Sequence, residues 1–103
     1  MIRHVVMFRW KDEFSADQRS SWIDAVRALP ASIPQIRNMT VGSDVVGSPR
    51  SWDAAIVCEF ETLDDLAAYA DHPDHLPLIA ISGAGAEQIC SVDFVLDRHH
   101  QEI

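Results

Sequence analysis

Ile2-Arg3-His4-Val5-Val6-Met7-Phe8-Arg9-Trp10 is the stretch on which the fold turns. Its residues alternate in strand fashion: Ile2, His4, Val6, Phe8 and Trp10 share one face, and Arg3, Val5, Met7 and Arg9 share the other. Both faces carry apolar side chains, so both must be at least partly covered.

Working outward, Ser15-Ala16-Asp17-Gln18 has the form of a capping box, in which the Ser oxygen meets the third backbone N–H and the Gln reaches back. A helix is predicted from Ala16 to about Leu29, with Trp22, Ile23, Val26 and Leu29 as its apolar stripe. Pro30 and Pro34 end it. Ile36 to Val46 has strand composition broken near Gly42, and the Gly47–Ser51 stretch reads as a turn. Ala54 to Phe60 reads as a third strand, apolar on both faces apart from Glu59. Thr62 caps a second helix, with Asp64 and Asp65 where the helix dipole favours negative charge. Leu66, Tyr69 and Ala70 fall on one face of it, and His72-Pro73 stops it. A short helix from about Pro73 to Ile81 follows, with Ser82-Gly83-Ala84-Gly85 as a turn. The last strand is expected over Ile89 to Leu96, and the tail from Asp97 to Ile103 is polar.

The order β-α-β-β-α-β, without internal repeat, predicts an α+β chain of the split βαβ or ferredoxin-like kind, an antiparallel sheet with its helices on one face. The other face is then bare, with Arg3, Val5, Met7, Arg9, Ala55 and Val57 as candidates for it. An exposed apolar patch of this kind marks an interface. A homodimer packed sheet to sheet is the simplest cover. In the strand order 4-1-3-2, Cys58 and Cys90 lie two strands apart, about 9–10 Å by sheet spacing, too far for a disulfide.

Composition narrows the function classes. A length of 103 residues fits one domain over 1–103, and 48% hydrophobic content is ordinary for a globular chain. A net charge of -8 and a pI near 4.8 argue against nucleic acid, whose phosphates select basic surfaces, and against acidic lipid. No apolar run approaches the roughly 20 residues of a membrane helix, and the N-terminus lacks a signal peptide's apolar core. Cys58 and Cys90 show no ligand-like spacing and read as small core residues. A cytoplasmic, reduced protein is the expectation.

The chemistry concentrates in Tyr69-Ala70-Asp71-His72-Pro73-Asp74-His75. Phenol and imidazole exchange protons near neutral pH. Positions 69 and 75 are not neighbours on an uninterrupted helix, where partners lie three or four apart, but a break at Pro73 can bend them together. His75 would then take an acidic proton from a carbon between carbonyls while Tyr69 donates to the enolate oxygen. The bland reading is a packing tyrosine and a loop-tying histidine. His72 and His75 with Asp71 and Asp74 fall short of the three or four fixed ligands of a zinc site, and His99-His100 read as solvated, so no metal is expected. No dinucleotide fingerprint, P-loop or nucleophile elbow is present, and no cofactor is expected.

Several pieces now coincide: Ile2 through Phe8, Ile33-Pro34-Gln35-Ile36, Trp52-Asp53 through Phe60-Glu61, and Ala68 through His75. Together they resemble the stress-responsive A/B barrel (Dabb) family of dimeric α+β barrel proteins, over essentially the whole chain. The resemblance implies the ferredoxin-like protomer and the sheet-to-sheet dimer, and no one activity. In its cyclase branch, which closes linear poly-β-ketones, a tyrosine and the last histidine of a Tyr-x-x-His-Pro-x-His run are the acid–base pair; the matching positions are Tyr69 and His75. A first-strand histidine facing that pocket matches His4. Two positions depart: Ala54 stands where many relatives have a histidine, and Val26 where the cyclases have a pocket tyrosine. The candidate pocket lining is Val6, Phe8, Trp22, Val26 and His72. The expectation is a family member of unassigned activity, with cofactor-free acid–base catalysis of the cyclase or lyase kind, on a small carbonyl or polyketide-like compound, as its first enzymatic reading. The alternatives are a non-catalytic stress-associated protein holding an apolar ligand, and a cofactor-independent oxygenase.

Overall fold

The computed structural model describes residues 1–96. Strand β1 (Ile2–Trp10) leads into helix α1 (Ala16–Arg27) and a 3-10 turn at Leu29–Ala31. Then come β2 (Asn38–Ser43), β3 (Ala54–Phe60), α2 (Leu63–Ala70), α3 (Leu76–Gly85) and β4 (Ala86–Val95). The four strands form one sheet in the order β2-β3-β1-β4, and every pairing is antiparallel. This is the ferredoxin-like arrangement expected from the element order.

Local chemistry sets the boundaries. The capping box at Ser15 forms in full: the Ser15 side chain accepts from Gln18 N, and the Gln18 side chain accepts from Ser15 N. Thr62 caps α2 by accepting from Asp65 N at 3.1 Å. The apolar stripe of α1 buries Trp22, Ile23 and Val26 against the sheet, where Ala54, Ile56, Cys58 and Phe60 of β3 are buried in alternation. Phe8, Trp10 and Trp22 interlock there, with Phe8 stacked on Trp10 at 5.2 Å and edge-on to Trp22 at 4.7 Å. Such aromatic contacts stabilise the core beyond simple area burial.

Several expectations need correction. The second strand is only Asn38–Ser43, and Ala70 is exposed rather than on the buried face of α2. The third helix runs through Ser82-Gly83-Ala84-Gly85 instead of stopping before it. A Cβ at Gly85 would lie 2.6 Å from Phe14 Cδ1, so that glycine is a close-packing residue and not a turn signal. The chain leaves α3 straight into β4, with Lys11 N donating to Gly85 O at 2.8 Å. Gly85→Ala is expected to destabilise the fold by about 1–2 kcal/mol, the cost of overpacking less the entropy regained by removing a glycine. A thermal melt should show a midpoint several degrees lower; an unchanged midpoint would mean that Phe14 yields freely.

Cys58 is buried, as expected, but Cys90 is only half-buried and lies on the uncovered face of the sheet. They sit on β3 and β4, which flank β1, and both thiols are free. The uncovered face carries Arg3, Val5, Met7, Arg9, Ala55 and Val57, joined by Val92 and Phe94 of β4 through the register Val5↔Val92 and Arg3↔Phe94. Val92 and Phe94 are 58% and 43% exposed. Arg3 pairs with Glu59, and Arg9 lies over the Trp52 ring at 4.7 Å. No described helix is long and apolar enough to cross a membrane.

Candidate functional site

Helix α2 delivers Tyr69 to the interior, where it is 2% exposed. The chain then turns sharply: His72 N donates to Tyr69 O at 3.2 Å and His75 N to His72 O at 2.9 Å. Pro73 cannot continue the helix, and the reversal carries His75 back over Tyr69. The two rings stack, with centroids 4.1 Å apart and planes 25° from parallel. His75 is also the residue that opens α3, without capping it through its side chain.

His4 reaches the same place from β1. Its ring is edge-on to Tyr69 at 6.0 Å, and its Nδ1 is hydrogen-bonded to the Asp93 carboxylate. The register His4↔Asp93 across β1 and β4 makes that contact. A carboxylate only accepts, so Nδ1 carries the proton and the ring is held in one tautomer. Cys58 stands opposite His4 on the other side, in the register His4↔Cys58. Burial pushes its thiol up to about 12, and the charges of Asp93 and Glu59 add to the shift. It is therefore a thiol at neutral pH, a packing group rather than a nucleophile.

Between α3 and the sheet lies a cavity of about 150 Å³ lined by His4, Val6, Phe8, Trp22, Val26, Ile56, Tyr69, His75, Leu78, Ile79, Ser82 and Ile89. The structure thus brings Tyr69, His75 and His4 together with Val6, Phe8, Trp22 and Val26. His72 is not in that lining; its Nδ1 accepts from Asp74 N at 3.1 Å, turned into its own loop. Among the described residues no group of three or more His, Cys, Asp and Glu side chains is arranged to hold a metal ion; His99 and His100 lie outside the described residues.

The electrostatics suit proton transfer. Burial, followed by the Cys58 thiol, raises the Tyr69 phenol well above its usual value, so the group stays protonated and can only donate to an anion. Burial lowers His75 below the ordinary imidazole value, against hydrogen bonds to the Ala70 and Tyr69 backbone that raise it; charges on His4 and His72 lower it further. His75 is therefore neutral at pH 7. Its Nδ1 meets Ala70 O at 3.3 Å. A carbonyl accepts only, so Nδ1 holds the proton and Nε2 keeps a free lone pair.

Sequence reasoning missed Asp93, Ser82, Ile56, Leu78, Ile79 and Ile89. Asp93 is separated from His4 by 89 positions, and only the strand register could have found it. Trp22 is held by a contact the sequence hides: its Nε1 donates to Leu78 O at 3.2 Å, fixing the indole as a cavity wall.

Comparison with known proteins agrees with this architecture. A stress-response A/B barrel domain-containing protein of Arabidopsis thaliana is 29% identical over 100 residues, which are 95% of this chain and 38% of that protein. The chain thus spans well under half the length of this relative. A crystal structure of a dimeric ferredoxin-like protein from Thermobifida fusca is 37% identical with a TM-score of 0.85, covering 92% of this chain and 90% of that one. A hydroxynitrile lyase from Passiflora edulis, 19% identical, shares the fold at a TM-score of 0.83 over 94% of each chain. Residues 2–96 match the family described as the Stress responsive A/B Barrel Domain. The chain belongs to the stress-responsive A/B barrel (Dabb) family.

Proposed function

We propose that this protein is a cofactor-free acid–base catalyst acting beside a carbonyl group, with His75 as base and Tyr69 as hydrogen-bond donor. The observation that carries this reading is the pairing of a neutral imidazole with an un-ionised phenol, stacked at 4.1 Å on one apolar cavity. His75 Nε2 takes a proton from the carbon next to the carbonyl. The C–H electron pair becomes the new C=C bond, and the carbonyl π pair moves onto oxygen. Tyr69 O–H donates to that oxygen as its charge develops, where a fixed donor contributes most. The enolate carbon then either takes the proton back or attacks a second carbonyl carbon. In the second case the new alkoxide oxygen receives the proton from His75, and an aldol results. His4, held by Asp93, orients the carbonyl from the β1 side. The protomer works as half of a homodimer closed through the uncovered sheet face, a reading supported by the dimeric T. fusca relative.

The test is deuterium incorporation from D₂O into a small β-keto ester, followed by NMR above the uncatalysed background. Saturable exchange is expected from the native chain, and Tyr69→Phe should slow it by about 10²–10³-fold, as for loss of one oxyanion donor. Absence of saturable exchange, or a Tyr69→Phe variant as fast as the native chain, would sink the assignment. A ligand that co-purifies and is released unchanged would then favour a binding protein.

A further inference from the structure

We infer that the cavity selects a neutral carbonyl compound about the size of one aromatic ring and rejects the carboxylate of the same shape. The inference rests on the acid–base reading only for where the carbonyl points. Size comes first: an apolar cavity of about 150 Å³ is the space that accepts a molecule such as benzene, and this one measures about 150 Å³. That is below the roughly 300–1,000 Å³ typical of sites for larger ligands, so the space inside the mouth matches one ring rather than a long chain.

Shape comes second. Phe8 and Trp22, edge to face at 4.7 Å, form an aromatic wall against which another ring packs edge-on or offset. The polar groups His4, Tyr69 and His75 gather at one end, and Ser82 stands seven residues, two helical turns, along α3 from His75. The Ser82 hydroxyl is already used, donating to Ile79 O at 3.2 Å. The ring therefore sits against the aromatic wall with its carbonyl towards Tyr69.

Charge comes third. No lysine or arginine is among the described lining residues. The other imidazole there, His4, already has the Asp93 carboxylate bonded to its Nδ1. Asp71 and Asp74 flank the turn that carries His75, and the chain has a net charge of -8. A carboxylate entering this space loses its water and gains no partner of opposite sign, and the field outside repels it as it approaches. The rim agrees: Ile79 and Ile89, 44% and 47% exposed, make the visible edge of the cavity apolar.

The test compares acetophenone with benzoate, alike in shape and opposite in charge state, by NMR titration of the native chain at pH 8, reading the Trp22 indole N–H. Acetophenone is expected to shift that signal saturably, and benzoate to bind at least about 30-fold more weakly. Ile89→Lys supplies a cation at the half-exposed rim, where the long stem can reach over the mouth while the ammonium stays in water. It should bring benzoate to within about threefold of acetophenone. Equal binding of the two probes by the native chain, or no binding of acetophenone, overturns the inference, as does an Ile89→Lys variant with unchanged preference. Acetophenone binding with no exchange of the β-keto ester would leave the selectivity standing while the catalytic reading falls.

Discussion

His75→Ala is expected to slow proton exchange by about 10²–10⁴-fold, the usual contribution of a positioned general base. The variant should still bind acetophenone, because the aromatic wall of Phe8 and Trp22 does not depend on the imidazole. The loss should therefore appear in kcat more than in KM. The pH profile separates a base from a packing group. His75 is lowered, chiefly by burial, so its neutral, proton-accepting form persists below the ordinary imidazole value of about 6.5. The rate should stay level as pH falls through about 6.5 and decline only beneath it. Stability follows the same sign. The unfolded chain takes up a proton near 6.5 and the folded chain resists it, so the fold has its full stability above about pH 6.5 and loses some as pH falls towards the lowered folded value. His75→Ala should abolish the kinetic acid limb and lessen the loss of stability just below about pH 6.5. A variant of undiminished rate, or one that keeps the kinetic acid limb, would remove His75 from the role of base.

The fold was legible because its signals are local. The alternation of Ile2–Trp10, the Ser15–Gln18 box and the Thr62 cap each report on a few consecutive residues, and each formed as read. The errors came where a distant partner overrides a local signal. Gly83 and Gly85 read as a turn by composition, yet α3 runs through both, and Gly85 is there because the Phe14 ring occupies the space a side chain would need. Cys90 shares the apolar company of Cys58, but the register places it on the side of the sheet that no described helix covers. The site divides in the same way. Tyr69 and His75 lie six positions apart around a proline, so their meeting could be argued from the turn alone. His72 sits in the same turn and was assigned to the pocket, but the rotation that brings His75 inward sends His72 to the Asp74 N–H. Asp93 carries no local signal; it matters because β4 returns beside β1 and sets it opposite His4.

Placing a charge on the uncovered sheet face should have an effect as large as removing the base, and on a different property. Val57 lies mid-face: Thr40 of β2 is beside it on one side and Val5 of β1 on the other, with Val92 of β4 beyond. This row is half-buried to exposed within one protomer, and Met7, Ala55 and Cys90 form a second row beside it. A lysine there would have to lose water on dimer closure with no carboxylate assigned to meet it. An unpaired buried charge costs about 3–5 kcal/mol, and a symmetric dimer meets that cost twice. Val57→Lys should therefore weaken the dimer by at least about 10³-fold, which sedimentation velocity at micromolar concentration reads as a monomer. The protomer itself should remain folded, because Ile56 and Cys58, not Val57, face the helices. A dimer of native stability would place the interface elsewhere. The lining residues His4, Val6, Phe8, Ile56 and Ile89 lie on the opposite side of the sheet from Val57, so the monomeric variant should still bind acetophenone. That combination would assign the dimer the task of covering an apolar face, with the chemistry left to each protomer alone.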